Sequence, residues 1–229
     1  MKKNKKKVLI VAAHPDDEVL GCGGTIYKLG SEGHDVSVLF LSDGVASRIP
    51  NKLDKEINRR KKSAIKSCKI LKVKNCFFEN LADNAFDTES LLNIIKLIEK
   101  YIDKLKPEII FTHSNSDLNV DHQVTNQSVV TACRPQKNLS VKELYFFEIL
   151  SSTEWNFSDS EKHFKPNYFI DISKCINKKI AALKKYEKEI RKWPHPRSLE
   201  GARILSRYRG MASNMNYAEA FFQAFKINK

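Results

Sequence analysis

The sequence predicts a single α/β domain, a Rossmann-like three-layer sandwich on a mostly parallel sheet. Three observations point there. Short apolar runs alternate with longer segments of helical periodicity. The first run, Val-Leu-Ile-Val-Ala at 8–12, has no polar position, as a strand buried on both faces requires. No linker or low-complexity block divides the 229 residues, a length that suits one core. Residues 8–229 therefore read as the domain and residues 1–7, with five lysines, as a basic tail.

The elements follow in order. After the first strand, a helix over 18–32 is packed by Leu20, Ile26 and Leu29 and stopped by Gly33, and a second strand over 36–41 completes a βαβ unit. Residues 42–54 form a loop, with Ser42-Asp43-Gly44 at its start and Ile49-Pro50 within it, ahead of a helix over 55–71. A short strand at 75–78 precedes a helix over 88–105, capped by Thr88. Its Leu91, Leu92, Ile95, Ile98 and Ile102 recur at helical spacing and belong to the core. Lys106-Pro107 introduces a strand at 108–111, and a helix occupies 120–133. Strands at 144–149 and 168–170, helices at 173–190 and 198–215, and a last strand at 218–225 complete the pattern. In that last run dense aromatics blur the alternation.

Composition narrows the function. The net charge of +13 raises a nucleic-acid partner, but the lysines are scattered through helices without interleaved aromatics, the pattern of a solvated face. A phosphorylated or nucleotide-linked substrate, or contact with an anionic membrane surface, suits the charge equally. No stretch approaches the length of a transmembrane span, and too few apolar residues follow the basic start for a signal peptide. Five cysteines without a C-x-x-C pairing argue for a reducing, cytoplasmic setting and against a thiolate metal site. Gly21-Cys22-Gly23-Gly24 lies late in the first strand-to-helix connection, and the dinucleotide spacing fails because residue 26 is Ile26. These glycines read as sites of close packing or of backbone approach to a ligand.

Two clusters carry chemistry. Ala13-His14-Pro15-Asp16-Asp17-Glu18 follows the first strand, and Thr112-His113-Ser114-Asn115-Ser116-Asp117-Leu118-Asn119-Val120-Asp121-His122 follows the strand at 108–111. Acids at a helix start need no more explanation than capping and the helix dipole. Capping does not account for His14, nor for a second His-and-Asp cluster a hundred residues on. Parallel strands present their carboxyl ends on one side of a doubly wound sheet, so the two clusters imply one shared metal site.

The pattern A-H-P-D-D-E after a first strand, with a later Asp121-His122, resembles the PIG-L/LmbE-like family of metal-dependent deacetylases of N-acetylated sugars. Ser42-Asp43-Gly44, Asp83-Asn84-Ala85-Phe86-Asp87, Arg134-Pro135, Pro196-Arg197-Ser198 and Arg209-Gly210 extend the resemblance along the chain. The resemblance implies an LmbE-like fold and a hydrolase that removes an acetyl group from an amino-sugar nitrogen. By it, His14, Asp17 and His122 hold Zn²⁺ or another divalent metal, and Asp16 is the general base toward the activated water. It also implies a small-molecule amino-sugar or sugar-conjugate substrate and leaves a homo-oligomer open. A sugar or nucleotide-sugar binding protein on the same fold is the alternative.

One departure bears on catalysis. Many relatives place a second histidine three residues before the last ligand, where this chain has Asn119, which donates a hydrogen bond but cannot become cationic. His113 either supplies the missing imidazole or is a hydrogen-bonded structural histidine. Asp121 is placed to orient a neighbouring side chain. For substrate contacts the resemblance points to Arg60 and Asp83, although Ser63 stands where many relatives carry a glutamate. Arg48, in the 42–54 loop, is a further candidate. Arg197 either lines the mouth or caps the last helix, and Trp193 reads as a packing aromatic rather than a sugar platform.

Overall fold

Every residue of the apolar run 8–12 is buried, and the strand it forms, β1 (Lys7–Ala12), lies inside a sheet of seven strands. The chain is described here from a computed structural model covering residues 5–45, 53–137, 139–157 and 163–228. Beside β1 stand β2 (Asp35–Ser42), β3 (Asn75–Leu81), β4 (Ile109–His113), β5 (Glu143–Phe147), β6 (Tyr168–Asp171) and β7 (Ala218–Lys226), in the order β3-β2-β1-β4-β5-β7-β6. The first five run parallel, and β7 lies antiparallel between β5 and β6.

Alternate residues of β1 feed opposite faces of the sheet, as the strand period demands. Val8, Ile10 and Ala12 join one core with α1 (Asp17–Ser31), α2 (Leu53–Ile70), α5 (Ile176–Leu183) and α6 (Leu199–Met211). Leu9, Val11 and Ala13 join the other with α3 (Leu91–Leu105) and α4 (Val120–Ala132). These two cores make the three layers. Truncating Ile10 to alanine would remove fully buried methyl groups at a cost of about 2–5 kcal/mol.

The glycines after His14 serve packing. A Cβ on Gly21 would overlap the Phe147 ring, and one on Gly24 would overlap Ile172. Helix α1 is broken at Cys22 (φ −146°), and Glu219 of β7 takes up the freed N–H groups of Gly24 and Thr25 at 2.8 and 2.7 Å. Lys179 pairs with the same carboxylate at 2.7 Å, so β7 and α5 both fix the break.

Some boundaries differ from the sequence reading. Ser90, not Thr88, precedes α3, because Phe86–Thr88 forms a separate 3₁₀ turn that buries Phe86. Helix α5 stops at Leu183 rather than 190. The chain continues as turns that bring Tyr186 and Glu189 inward, where Tyr186 Oη donates to Glu18 at 2.6 Å. Helix α6 ends at Met211, and a turn returns Met215 N–H to the Gly210 carbonyl at 2.8 Å. β7 is buried over its first four residues and alternates only afterwards, which is why its periodicity is blurred. Lys7 already belongs to β1, while Lys5 and Lys6 pair with Asp35 and Glu143 at 3.0 and 2.8 Å. Arg48 lies outside the described residues. Among those described, no helix is long and apolar enough to cross a membrane.

Candidate metal centre

The chain order runs outward from β1 through β2 to β3 on one side and from β4 to β5 on the other, so strand order reverses between β1 and β4. In open parallel sheets, ligands bind outside the carboxyl ends of the strands at this reversal. Both sequence clusters emerge there. Past β1, His14 N–H donates to Asp17 Oδ2 at 2.8 Å, closing the turn into α1. Past β4, Asn119 caps α4, its side-chain oxygen accepting from the Asp121 and His122 N–H groups at 2.8 and 3.3 Å.

These two turns bring His14, Asp17 and His122 together, all buried, with one donor atom from each lying within 4.8 Å of the others. Asp17 Oδ2 stands 3.3 Å from His14 Nδ1 and 3.4 Å from His122 Nε2. The far nitrogen of each ring already has a carboxylate. His14 Nε2 meets Asp121 Oδ2 at 2.8 Å and Asp83 Oδ1 at 3.2 Å, and His122 Nδ1 meets Asp117 Oδ1 at 3.0 Å. The acceptors are themselves held: Asp121 by the Asn84 and Phe86 N–H groups, Asp117 by the hydroxyls of Ser152 and Thr153. A carboxylate behind each imidazole fixes its tautomer and turns the other nitrogen toward a cation. Two such nitrogens and one carboxylate oxygen form a donor set that suits Zn²⁺, Fe²⁺ or Co²⁺ and leaves coordination positions open.

The electrostatics fit a cation. Burial disfavours ionised Asp17, yet the imidazoles of His122, His113 and His14 outweigh it and hold the carboxyl well below its usual range. Burial likewise opposes a charged His122, but Asp17 and Asp117 raise it to about 10. His14 is also raised, through its hydrogen bonds to Asp121 and Asp17 against burial. The pocket thus concentrates positive charge on its ligand rings, the place a divalent ion would take.

Asp16 sits beside this group without joining it. Burial raises its carboxyl, while Arg60 at 3.2 Å and Arg197 at 3.4 Å favour the ionised form. Its backbone lies at φ 124°, a region costing a non-glycine residue about 1–3 kcal/mol. Glu18 accepts the Asp16 N–H at 3.0 Å and holds that conformation, and burial pushes the Glu18 carboxyl up to about 8. Arg60 anchors the turn by donating to the carbonyls of Pro15 and Gly44. Gly44, at φ 70°, admits this approach because a Cβ there would strike the guanidinium.

A cavity of about 320 Å³ opens over the group. Of the sequence-predicted residues, His14, Asp16, Asp17, His122, Asn119, Arg60, Asp83 and Arg197 line it. Asp121 and His113 do not. Asp121 lies behind His14. His113 lies beneath His122, ring centroids 4.0 Å apart, and its Nε2 accepts the Ala13 N–H at 2.9 Å. That bond leaves Nδ1 as the protonated nitrogen, buried away from the cavity, and burial keeps the ring neutral. His113 therefore does not bring an imidazole to the substrate side. Asn119 spends its oxygen on the cap and gives one amide hydrogen to Asn84 Oδ1 at 3.0 Å. Trp193 is 54% exposed, so it is not a packing residue.

Sequence reasoning missed Asp117, Glu189, Arg191 and His195. Asp117 stood inside the second cluster without a role. The other three line the cavity from a segment far along the chain, marked in sequence only by the punctuation of Trp193-Pro194-His195-Pro196.

A profile of the family described as "PIG-L: GlcNAc-PI de-N-acetylase" matches residues 9–133, more than half of the chain and both clusters. The chain belongs to the PIG-L family. Beyond that profile, the chain is 27% identical over 230 residues to the diacetylchitobiose deacetylase of Thermococcus kodakarensis, an alignment covering 93% of this chain and 81% of that one. The N,N'-diacetylchitobiose deacetylase of Pyrococcus horikoshii superposes with a TM-score of 0.78 at 22% identity, covering 96% of this chain and 84% of that one. The 4-carboxy-2-hydroxymuconate hydratase GalB of Pseudomonas putida superposes nearly as well, with a TM-score of 0.75 at 20% identity over 98% of each chain. One PIG-L fold thus carries a hydrolase and a hydratase, so function must be argued from the site.

Proposed function

We propose that this chain is a divalent-metal-dependent hydrolase that removes an acetyl group from the nitrogen of an amino-sugar derivative. His14, Asp17 and His122 are the ligands, Zn²⁺ the ion, and Asp16 the general base. The observation that carries this reading is the pairing of a buried N/O/N donor set with a second carboxylate that neighbours it but belongs to no ligand group. When bound, such an ion supplies Lewis acidity toward the amide carbonyl and toward water.

The residues divide the remaining work. Asp16, aligned by Arg60 and Arg197, takes a proton from the attacking water as its oxygen bonds to the carbonyl carbon. When the C–N bond breaks, Asp16 returns that proton to the nitrogen, and acetate and a free amine leave. Asp121 and Asp83 orient His14, and Asp117 orients His122. Among the described residues Asn119 keeps one amide hydrogen uncommitted for the substrate, and His113 acts through the packing of His122. Arg60 lines the cavity but spends its donors on the Pro15 and Gly44 carbonyls and on Asp16, so it acts on the reaction by aligning Asp16. Five unpaired thiols support a reducing, cytoplasmic setting.

A binding protein without turnover would need neither a base nor the strained backbone at Asp16 that presents it. The test is acetate release over a panel of N-acetyl sugars and conjugates by the metal-loaded protein. The reading expects turnover of at least one amino sugar, abolished in Asp16→Asn with metal retained. Undiminished turnover in Asp16→Asn would remove the base from this account.

A further inference from the structure

The turn that follows α5 reaches Asp16 by two routes. In the run Lys184-Lys185-Tyr186-Glu187-Lys188-Glu189, Tyr186 and Glu189 are buried, at 1% and 7% exposure, and the other four residues are exposed. Glu189 N–H donates to the Tyr186 carbonyl at 2.8 Å, closing the turn that carries both, and Lys188 Nζ pins it to Glu56 of α2 at 2.8 Å. The turn lies beyond the residues matched by the family profile.

The first route runs to the backbone of Asp16. Tyr186 Oη donates to Glu18 Oε1 at 2.6 Å, Ser67 Oγ donates to the same oxygen at 3.3 Å, and Glu18 Oε2 accepts the Asp16 N–H at 3.0 Å. All four residues are buried, so bulk water cannot stand in for a missing donor. At φ 124° the Asp16 backbone persists only while its surroundings over-determine it. The phenol and the Ser67 hydroxyl hold the Glu18 side chain, otherwise free to change rotamer, in the orientation that meets the Asp16 N–H.

The second route runs to the Asp16 side chain. Glu189 Oε2 stands 3.4 Å from Arg60 Nη1, and Arg60 Nη2 stands 3.2 Å from Asp16 Oδ1. A planar guanidinium with one carboxylate at each Nη has its orientation fixed between them.

We propose that Tyr186 and Glu189 are positioning residues for Asp16: Tyr186 sets the backbone that presents the carboxylate, and Glu189 sets the arginine that aligns it. Tyr186 is not among the residues lining the cavity, so its phenol acts through Glu18. The inference deepens the proposed function and rests on it for the role of Asp16 as base. A turn from late in the chain thereby becomes part of the catalytic geometry.

Tyr186→Phe removes one hydroxyl and keeps the ring. In ¹⁵N-labelled protein, NMR follows exchange of the Asp16 amide hydrogen beside those of β1, with no substrate needed. The Asp16 amide of the variant should exchange about tenfold or more faster while the β1 amides keep their rates. At full metal occupancy kcat should fall about 10–100-fold with KM unchanged, because a misplaced base slows the reaction without loosening the substrate. Combined with Glu18→Gln, the losses should not multiply, since Tyr186 works through Glu18. Glu189→Gln, which leaves the phenol in place, should lower kcat and leave Asp16 exchange unchanged.

Unchanged Asp16 exchange or unchanged kcat in Tyr186→Phe would overturn the first route. Exchange that quickens across β1 as well, or losses that multiply with those of Glu18→Gln, would reduce Tyr186 to a packing residue. Unchanged kcat in Glu189→Gln would remove the second route. Loosening confined to Asp16, in a protein whose unaltered form releases no acetate from any N-acetyl sugar, would sink the deacetylase reading alone.

Discussion

The two sides of the cavity are built on opposite principles. On the strand side, the charged groups face one another before any substrate arrives: a carboxylate stands within 3.0 Å of each ligand imidazole, each of those carboxylates has its donors, and Asp16 has its two arginines. On the loop side, the Arg191 guanidinium and His195 Nε2 line the cavity with no hydrogen-bond partner among the described residues. Fixed partners minimise reorganisation during reaction, which chemistry requires, whereas unspent donors are what recognition requires. The first side comes from two parallel strand ends locked in a sheet, and the second from a surface loop late in the chain.

This contrast predicts a hierarchy of mutational effects. The largest belongs to Asp16. Asp16→Asn keeps the shape and the neighbours but not the basicity, so kcat should fall by about 10²–10⁴ while metal content stays stoichiometric. Steady-state kinetics with elemental analysis reads both, and joint loss of metal would recast Asp16 as a ligand. Next come the groups behind the rings. Asp117→Asn and Asp121→Asn should weaken metal binding by about 10–100-fold, seen as a shift in competition with a chelator. Unchanged affinity would mean that the strand side is less preorganised than its contacts suggest.

The coupling of metal to protons is a third consequence. Without an ion, His122 is raised to about 10, so near neutral pH it carries a proton that a metal must displace. Metal binding should release protons there, and apparent affinity should climb by about tenfold per pH unit for each proton displaced, levelling above pH about 10. Titrations in buffers of different ionisation enthalpy would detect this. Binding without proton release would show that His122 is neutral in the free protein.

The smallest effect on turnover is expected at His113. Replacing it with leucine leaves the Ala13 N–H buried and unpaired, at a cost of about 1–3 kcal/mol in stability, while metal-saturated turnover persists. Thermal unfolding beside kinetics separates the two. Loss of turnover at full metal occupancy and unchanged stability would give His113 a direct catalytic part.

How much of this was legible in the sequence follows the same division. A strand buried on both faces must be apolar throughout, so 8–12 announced β1, and the residues just past a strand end have only one side of the sheet to occupy. On that ground the two clusters could be expected to meet, while the choice of His14, Asp17 and His122 within them came from the resemblance to the PIG-L family, and Asp121 was read as a residue that orients a neighbour. Asp117 could not be told from other loop acids, because its role depends on Ser152 and Thr153, which tertiary packing brings from beyond β5. Residues 184–190 were hidden for a related reason. Their lysine-rich pattern continues the period of α5, and only the contacts of Tyr186 with Glu18 and of Glu189 with Arg60 turn the chain into the cavity. His113 was visible as a histidine, but its hydrogen bond to Ala13 was not.

The central claim is that one divalent ion joins the two strand ends through His14, Asp17 and His122. Titrating the chelator-stripped protein with Zn²⁺ in a calorimeter, alongside His122→Ala, tests it most directly. One equivalent per chain for the unaltered protein and loss of that site in His122→Ala are the predicted results; no binding, or equal binding by both proteins, would contradict it.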